Sequence, residues 1–291
     1  MNGRDAWFRR STLAMAGAGA VFLLLIVGFM AEEARPAVTG GGGVSFADFL
    51  WRAAWTPWSD PPGLGILHAW VSTLAVSCMA VTLAGVLGLG VALFLSELAP
   101  RPIAALLRPC LELLAGIPSV VYGFFGAVTL VKGFEAWFAL PTGECLGVAG
   151  LILAVMILPF VAGTAADVLD AAPRELREAA LAQGVTRAHM IRRVLIPAAA
   201  PGLFSALGLG LARAVGETLA VLMLTGNSTL PPSSFFSRGQ PITALLATEL
   251  GEAEVGSMKY HALFLSGALL LLIVAGLNIL FGRLRKRIAH G

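Results

Sequence analysis

Charge is what this chain is short of. Acidic and basic residues make up 13% of its 291 residues against 57% apolar ones, and mean hydropathy is +0.84, whereas soluble domains carry about 25% charged residues. That balance excludes a water-soluble globular domain and reads as an integral membrane protein. Cysteine is scarce too. Cys78, Cys110 and Cys145 fall in or beside apolar runs without metal-ligand spacing, so they read as small packing residues and no disulfide framework is expected. The histidines are His68, His189, His261 and His290. None is spaced as a metal pair, which speaks against a membrane enzyme such as a lipid-modifying transferase with a metal centre. The three lysines precede Gly133, Tyr260 and Arg287. A Walker A motif needs Ser or Thr there, so an ATP site of that kind is lacking.

What is present in quantity is apolar sequence in long runs. Six are long enough to cross a hydrocarbon core about 30 Å thick: Leu13–Ala31, Trp70–Leu95, Leu111–Val131, Leu146–Ala166, Leu203–Leu224 and Ala262–Phe281. The fold class expected is an all-α membrane protein with six transmembrane helices. Fourteen basic residues fall on the side shared by the two termini and the 171–197 loop, five fall on the other side, and Arg213 lies within a run. By the positive-inside rule the termini and that loop are cytoplasmic. The first run follows Arg9 and Arg10 but exceeds the 7–15 residues of a signal-peptide core, so it reads as a membrane anchor. A net charge of +3 and a pI near 9.0 are explained by this topology without nucleic acid, and Arg283–Arg287 reads as an anchor beside anionic lipid.

Between the first two runs lie a glycine run, Gly40–Gly43, expected to be flexible, and then Trp51, Trp55 and Trp58. The tryptophans suit an interfacial belt or a docking surface for an extracytoplasmic partner, and both readings stand. Glu249, Glu252 and Glu254 in the last external loop are open in the same way.

Arg213 and Glu217 are the unusual residues of the fifth run. A charge at the middle of a membrane helix costs about 2.5–3.5 kcal/mol on insertion scales, so both must face protein or water. A spacing of four puts them on one helical face, where they can pair. Mutual neutralisation is one reading; substrate handling is the other, since two apolar residues would serve stability better. A guanidinium is a planar multiple donor suited to oxyanions. This chemistry favours an inorganic oxyanion without choosing among phosphate, sulfate and molybdate.

The loop before that run has its own local logic. Pro173 suits a first helical turn, and Glu175 and Glu178 sit at the favourable end of a helix dipole. Gly184 is a natural stop, Thr186 can cap a second short helix, and Pro197 is expected to end it before the next span. Glu178-Ala179-Ala180, three residues, Gly184, nine residues and Val194-Leu195-Ile196-Pro197 resemble the EAA loop of ABC importer permeases, with Val194 and Ile196 in place of Ile and Leu. Ala212-Arg213-Ala214-Val215-Gly216-Glu217-Thr218-Leu219-Ala220-Val221 with Thr225-Gly226-Asn227, Ile117–Gly123, and Thr248–Ala253 resemble the phosphate importers of that family. The likeness runs in order over residues 46 to 281. The apolar Leu219-Ala220-Val221 after Gly-Glu-Thr is similar to the PstC type rather than the PstA type; Ala212 departs from the usual Gly.

The resemblance implies a type I ABC importer permease fold with a cytoplasmic coupling helix-turn-helix at 173–197. It divides the chain into an N-terminal anchor and external loop, 1–66, and a permease domain, 67–291. It implies phosphate import across the cytoplasmic membrane; sulfate, molybdate or phosphonate import is the alternative. Arg213, Glu217 and Thr218 are then the substrate pathway, and Glu178, Ala179, Ala180, Gly184 and Pro197 the ATPase-coupling residues. The partners implied are a homologous second permease in a heterodimer, two ATPase subunits that hydrolyse ATP, and an extracytoplasmic phosphate-binding protein. No metal or cofactor is expected in this chain.

Overall fold

The structure is a computed structural model and describes residues 3–39 and 45–290; the glycine run Gly40–Gly43 lies outside the described residues. In chain order, α1 is Gly3–Thr39, α2 Phe46–Trp51, β1 Trp55–Thr56, β2 Gly63–Leu64 and α3 Leu67–Leu93. Then come α4 Arg101–Ala115, α5 Ser119–Gly126, α6 Lys132–Phe138, α7 Leu146–Asp170, α8 Arg174–Ala182, α9 Arg187–Met190, α10 Ile196–Val215, α11 Leu219–Leu224, α12 Ile242–Glu249 and α13 Met258–His290.

Among the described residues, five helices are long and apolar enough to cross a membrane, and a bent pair makes a sixth. The spans expected at Leu13–Ala31, Leu146–Ala166 and Ala262–Phe281 fall inside α1, α7 and α13, and Trp70–Leu95 runs through α3 into the π-helical turn Phe94–Leu98 that continues it. The third differs from expectation. The chain turns by 87° between Arg101–Ala115 and Ser119–Phe138, so Leu111–Val131 is not one rod. Pro118 has no N–H to continue the helix and keeps Ile117 out of the helical region. The Tyr122 hydroxyl holds the corner by donating to the Leu114 carbonyl at 2.9 Å.

The fifth span also differs. It was expected over Leu203–Leu224, but the helix begins at Arg187, stops at Val215 and resumes as α11. Pro197 therefore does not end the helix. A π-helical turn, Ile191–Leu195, precedes it, with Ile196 N–H bonded to the Ile191 carbonyl. The wider turn accommodates a ring that would clash with the carbonyl four residues back. Pro173 is likewise the residue before α8 rather than within its first turn.

Helix α7 is the centre of the bundle, with most of its apolar stretch buried, while none of the apolar stretch of α1 is buried within this chain. Small residues let α3 and α7 approach closely: Ala80 and Ala84 are buried with Ala149 and Ala154. Gly88 faces Val161 and Gly208 faces Phe281 across helix contacts. Helix α1 is held near its far end, where Ala34 and Ala37 are buried, Phe29 meets Phe264 edge-on at 5.6 Å and His261 Nδ1 lies 2.7 Å from the Glu33 carbonyl.

Two ends of the bundle follow from these contacts. One, the basic end, carries α8 and α9 with Ala180, Met190 and Leu195 packed beneath them on Leu169. The opposite end carries the β1–β2 hairpin and α12, where Phe49, Trp55 and Leu64 pack on Ile242, Leu245 and Leu263. The three tryptophans separate there. Trp55 is buried, Trp51 is exposed and meets Trp70 edge-on at 5.4 Å, and Trp58 is exposed. Glu249 pairs with Lys259 at 2.5 Å, whereas Glu252 and Glu254 are exposed. Of the cysteines only Cys145 packs inside; Cys78 and Cys110 lie on the surface of the chain.

Candidate functional site

The break in the fifth span is where the unusual charges sit. Arg213 is in the last turn of α10, Gly216 closes that helix, and Glu217 lies beyond it. The two side chains are therefore not one helical turn apart on a common face, and no ion pair between them exists among the described residues. The common helical face expected from the spacing of four is corrected by the break itself. Arg213 is exposed on this chain and its guanidinium stands over the Phe160 ring of α7, 6.0 Å from the centroid, at the outer edge of cation–π range. Glu217 Oε1 accepts the Ala220 N–H at 3.3 Å and so satisfies one of the unpaired donors that open α11. The Thr218 hydroxyl reaches back to the Gly216 carbonyl only at 3.5 Å.

A segment from the opposite end is stitched to this break. Gly226 and Asn227 adopt positive φ, 74° and 47°, and turn the chain out of α11. The Arg238 guanidinium donates to the Gly226 carbonyl at 2.6 Å and to Glu144 at 3.4 Å. The Gly239 N–H donates to the Thr225 carbonyl at 2.9 Å. One residue before α12 turns inward, Pro241 fixes the entry, the Ile242 N–H donates to Thr73 Oγ1 of α3 at 2.9 Å, and Thr243 Oγ1 donates to the Glu217 carbonyl at 2.7 Å.

Phe160 also lines a cleft of about 230 Å³ between α4 and α7, shared with Arg108, Glu112, Thr164 and Asp167. Phe160, Thr164 and Asp167 recur at helical spacing on one face of α7. The cleft thus runs from the Phe160 ring beneath Arg213 toward the basic end, where Arg108 donates to Asp170 at 2.6 Å.

The second candidate place is the loop at the basic end. Helix α8 stops at Gly184, whose φ of 77° is the left-handed conformation that glycine adopts without strain, with its N–H on the Leu181 carbonyl at 2.9 Å. The Thr186 hydroxyl accepts the His189 N–H at 3.3 Å and caps α9. The residues grouped by sequence divide in space. Ala180 is buried against the bundle, while Glu178, Ala179, Gly184 and Pro197 are exposed, together with Arg192 and Arg193 beside His189.

Sequence reasoning missed what holds this loop. Arg177 Nε donates to Glu97 Oε1 at 2.9 Å, and its other nitrogens donate to the carbonyls of Ala172 at 2.7 Å and Leu169 at 2.6 Å. Leu169 is in the last turn of α7, where its carbonyl also accepts the Ala172 N–H at 3.2 Å, and Ala172 lies just past the end of that helix. The available signal was Glu97 itself, a single acid at the end of an apolar run, where a charge calls for a specific partner. Thr243 and Phe160 had no such signal. Among the described residues no cluster of metal-ligating side chains occurs.

Comparison with known proteins gives consistent neighbours. The model of the family described as binding-protein-dependent transport system inner membrane component matches residues 84–290. The chain is 39% identical to the probable ABC transporter permease protein YqgH of Bacillus subtilis, over 83% of this chain and 78% of that protein. It is 34% identical to the phosphate transport system permease protein PstC of Mesorhizobium japonicum, over 93% of this chain and 89% of that one. Among solved structures, a bacterial ABC transporter that imports the acidic polysaccharide alginate superimposes with a TM-score of 0.66 at 15% identity, covering 98% of this chain and 97% of that one. The MetNI methionine ABC transporter in an inward-facing form gives 0.60 at 22% identity, covering 77% and 95%.

Proposed function

The chain belongs to the family of binding-protein-dependent transport system inner membrane components, and from that membership we propose that it is the PstC-type permease subunit of an ATP-driven ABC importer that carries inorganic phosphate across the cytoplasmic membrane. The observation that carries the reading is Arg213, a guanidinium without an ion-pair partner among the described residues, presented on this chain's surface at a broken membrane helix. An unpaired guanidinium inside a membrane is costly unless something compensates it. A transient oxyanion between two permease subunits meets that need, and 34% identity with a phosphate permease over 93% of the chain favours phosphate.

The mechanism follows from that assignment. Arg213 binds the anion as it enters from the opposite end. Glu217 and Thr218 shape the break beside it, and Glu217 modulates the charge there. The cleft along Phe160, Thr164 and Arg108 leads toward the basic end, which faces the cytoplasm under the positive-inside rule. Glu178, Ala179, Gly184 and Pro197 meet an ATPase subunit, Ala180 seats the loop on the bundle, and Arg177 passes the motion to α3 and α7. This chain binds no ATP of its own. Two ATPase subunits supply hydrolysis, a homologous permease completes the pathway as a heterodimer, and an extracytoplasmic binding protein delivers phosphate. Residues 1–66 act as anchor and external loop, and 67–291 as the permease domain.

The test is labelled-phosphate uptake into proteoliposomes holding this chain with its permease partner, ATPases and binding protein. ATP-dependent accumulation that sulfate and molybdate do not inhibit is expected. Inhibition by either oxyanion, or no phosphate uptake by an assembled complex, overturns the phosphate assignment and leaves the family membership standing.

A further inference from the structure

The broken fifth span raises a question that its own residues do not answer: what keeps it broken. In an unbroken helix the Glu217 carbonyl would accept the Val221 N–H four residues on, and Arg213 and Glu217 would share one face and pair. Within a membrane the helical solution is strongly favoured, because a carbonyl without a partner has no water to turn to. The break persists here with the Glu217 carbonyl bonded from outside the helix, by Thr243 Oγ1 at 2.7 Å. Thr243 is 6% exposed. Its backbone is fixed by the neighbouring Ile242 N–H on Thr73 at 2.9 Å and by Gly239 on Thr225 at 2.9 Å. The hydroxyl is thus delivered to the break by a segment that is itself pinned to α3 and to the end of α11.

We infer that Thr243 is the positioning residue that holds the Glu217 carbonyl out of helical register, and so keeps Arg213 and Glu217 apart and the guanidinium free for an anion. The inference rests on the proposed role of Arg213 in phosphate passage. It adds that the cost of the helix break is met by a side chain 26 residues further along the chain, and that the binding state of Arg213 is set from the end of the bundle to which α12 belongs. Loss of the hydroxyl returns the carbonyl to Val221, re-forms the turn and lets Glu217 neutralise Arg213.

The test compares Thr243→Val, which keeps the shape and removes the donor, with Thr243→Ser, which keeps the donor, in the assembled complex in proteoliposomes. Thr243→Val is expected to lower phosphate uptake about tenfold or more, the scale of losing a buried hydrogen bond, while ATPase subunits stay bound and basal ATP hydrolysis persists. Thr243→Ser is expected to remain within about twofold of the native chain by the same reasoning. In the Glu217→Gln background Thr243→Val is expected to cost less uptake than it does in the native chain, because an amide cannot neutralise Arg213; a packing role would give the same loss in both backgrounds. Normal uptake by Thr243→Val, equal loss in the Val and Ser variants, failure of both to assemble, or the same loss from Thr243→Val in the native and Glu217→Gln backgrounds each overturns the inference. Arg213→Ala, run alongside, separates the two levels. If it transports normally the phosphate-site reading falls, and if it is inactive while Thr243→Val is normal only the inference about Thr243 falls.

Discussion

Arg177 and Glu97 join the loop at the basic end to the end of α3 through one bond of 2.9 Å, with Glu97 6% and Arg177 18% exposed. The same guanidinium donates to the Leu169 carbonyl in the last turn of α7 and to the Ala172 carbonyl just beyond it. One side chain on α8 therefore bonds to the ends of two membrane spans.

Removing one member of a buried pair leaves the other charge uncompensated, a loss of about 3–5 kcal/mol. Glu97→Gln is expected to lower the thermal unfolding temperature of the purified complex and to reduce uptake more than ATP hydrolysis, because the loop still docks but moves independently of α3. Measuring both rates on one preparation checks this. A proportional fall in the two would mean that the pair serves stability alone.

Gly184 carries the turn of the same loop. Its φ of 77° costs an L-residue about 1–2 kcal/mol, although a Cβ there would meet nothing within 4 Å. Strain and crowding can therefore be told apart. Gly184→Asn, which tolerates the left-handed region, is expected to retain ATPase subunits through affinity purification, whereas Gly184→Val is expected to lose them. Equal retention by both variants would remove the turn from the docking surface.

Arg213→Ala is expected to abolish phosphate uptake, by at least about a hundredfold given the strength of charge-assisted anion contacts, with the ATPase subunits still bound. Arg213→Lys keeps the charge and loses the planar fork, so it should recover only part of the rate. Uptake kinetics across the three chains decide the matter, and native rates in the alanine variant would exclude Arg213 from the pathway.

The parts of this fold that were legible in the sequence are those set by local chemistry. Apolar runs located α1, α3, α7 and α13, Gly184 marked the end of α8, and Thr186 marked the start of α9, because each depends on a few neighbouring residues. The two breaks were not legible as breaks. Ile117-Pro118 and Gly216-Glu217-Thr218 lie inside apolar stretches long enough to span, and composition cannot register a corner of 87°. Pro197 misled in the opposite direction, since the π turn at Ile191–Leu195 lets the helix pass through it. Arg213 and Glu217 stood out as charges, but their separation depends on Thr243, Thr73 and Thr225, whose hydroxyls and carbonyls meet only after distant helices pack.

Glu217 then has two roles that a single substitution can part. Its carboxylate accepts the Ala220 N–H at 3.3 Å, a capping contact whose loss costs about 1 kcal/mol, and it also places a negative charge near the Arg213 site. Glutamine keeps the acceptor oxygen and discards the charge, while alanine discards both. Glu217→Gln is expected to transport within about threefold of the native chain, and Glu217→Ala to fall further, by the roughly fivefold that about 1 kcal/mol represents. Parallel uptake and thermal unfolding curves for the two variants test this. Equal loss of uptake in both, with unfolding lowered only in the alanine variant, would assign transport to the charge and leave the cap a structural contact alone.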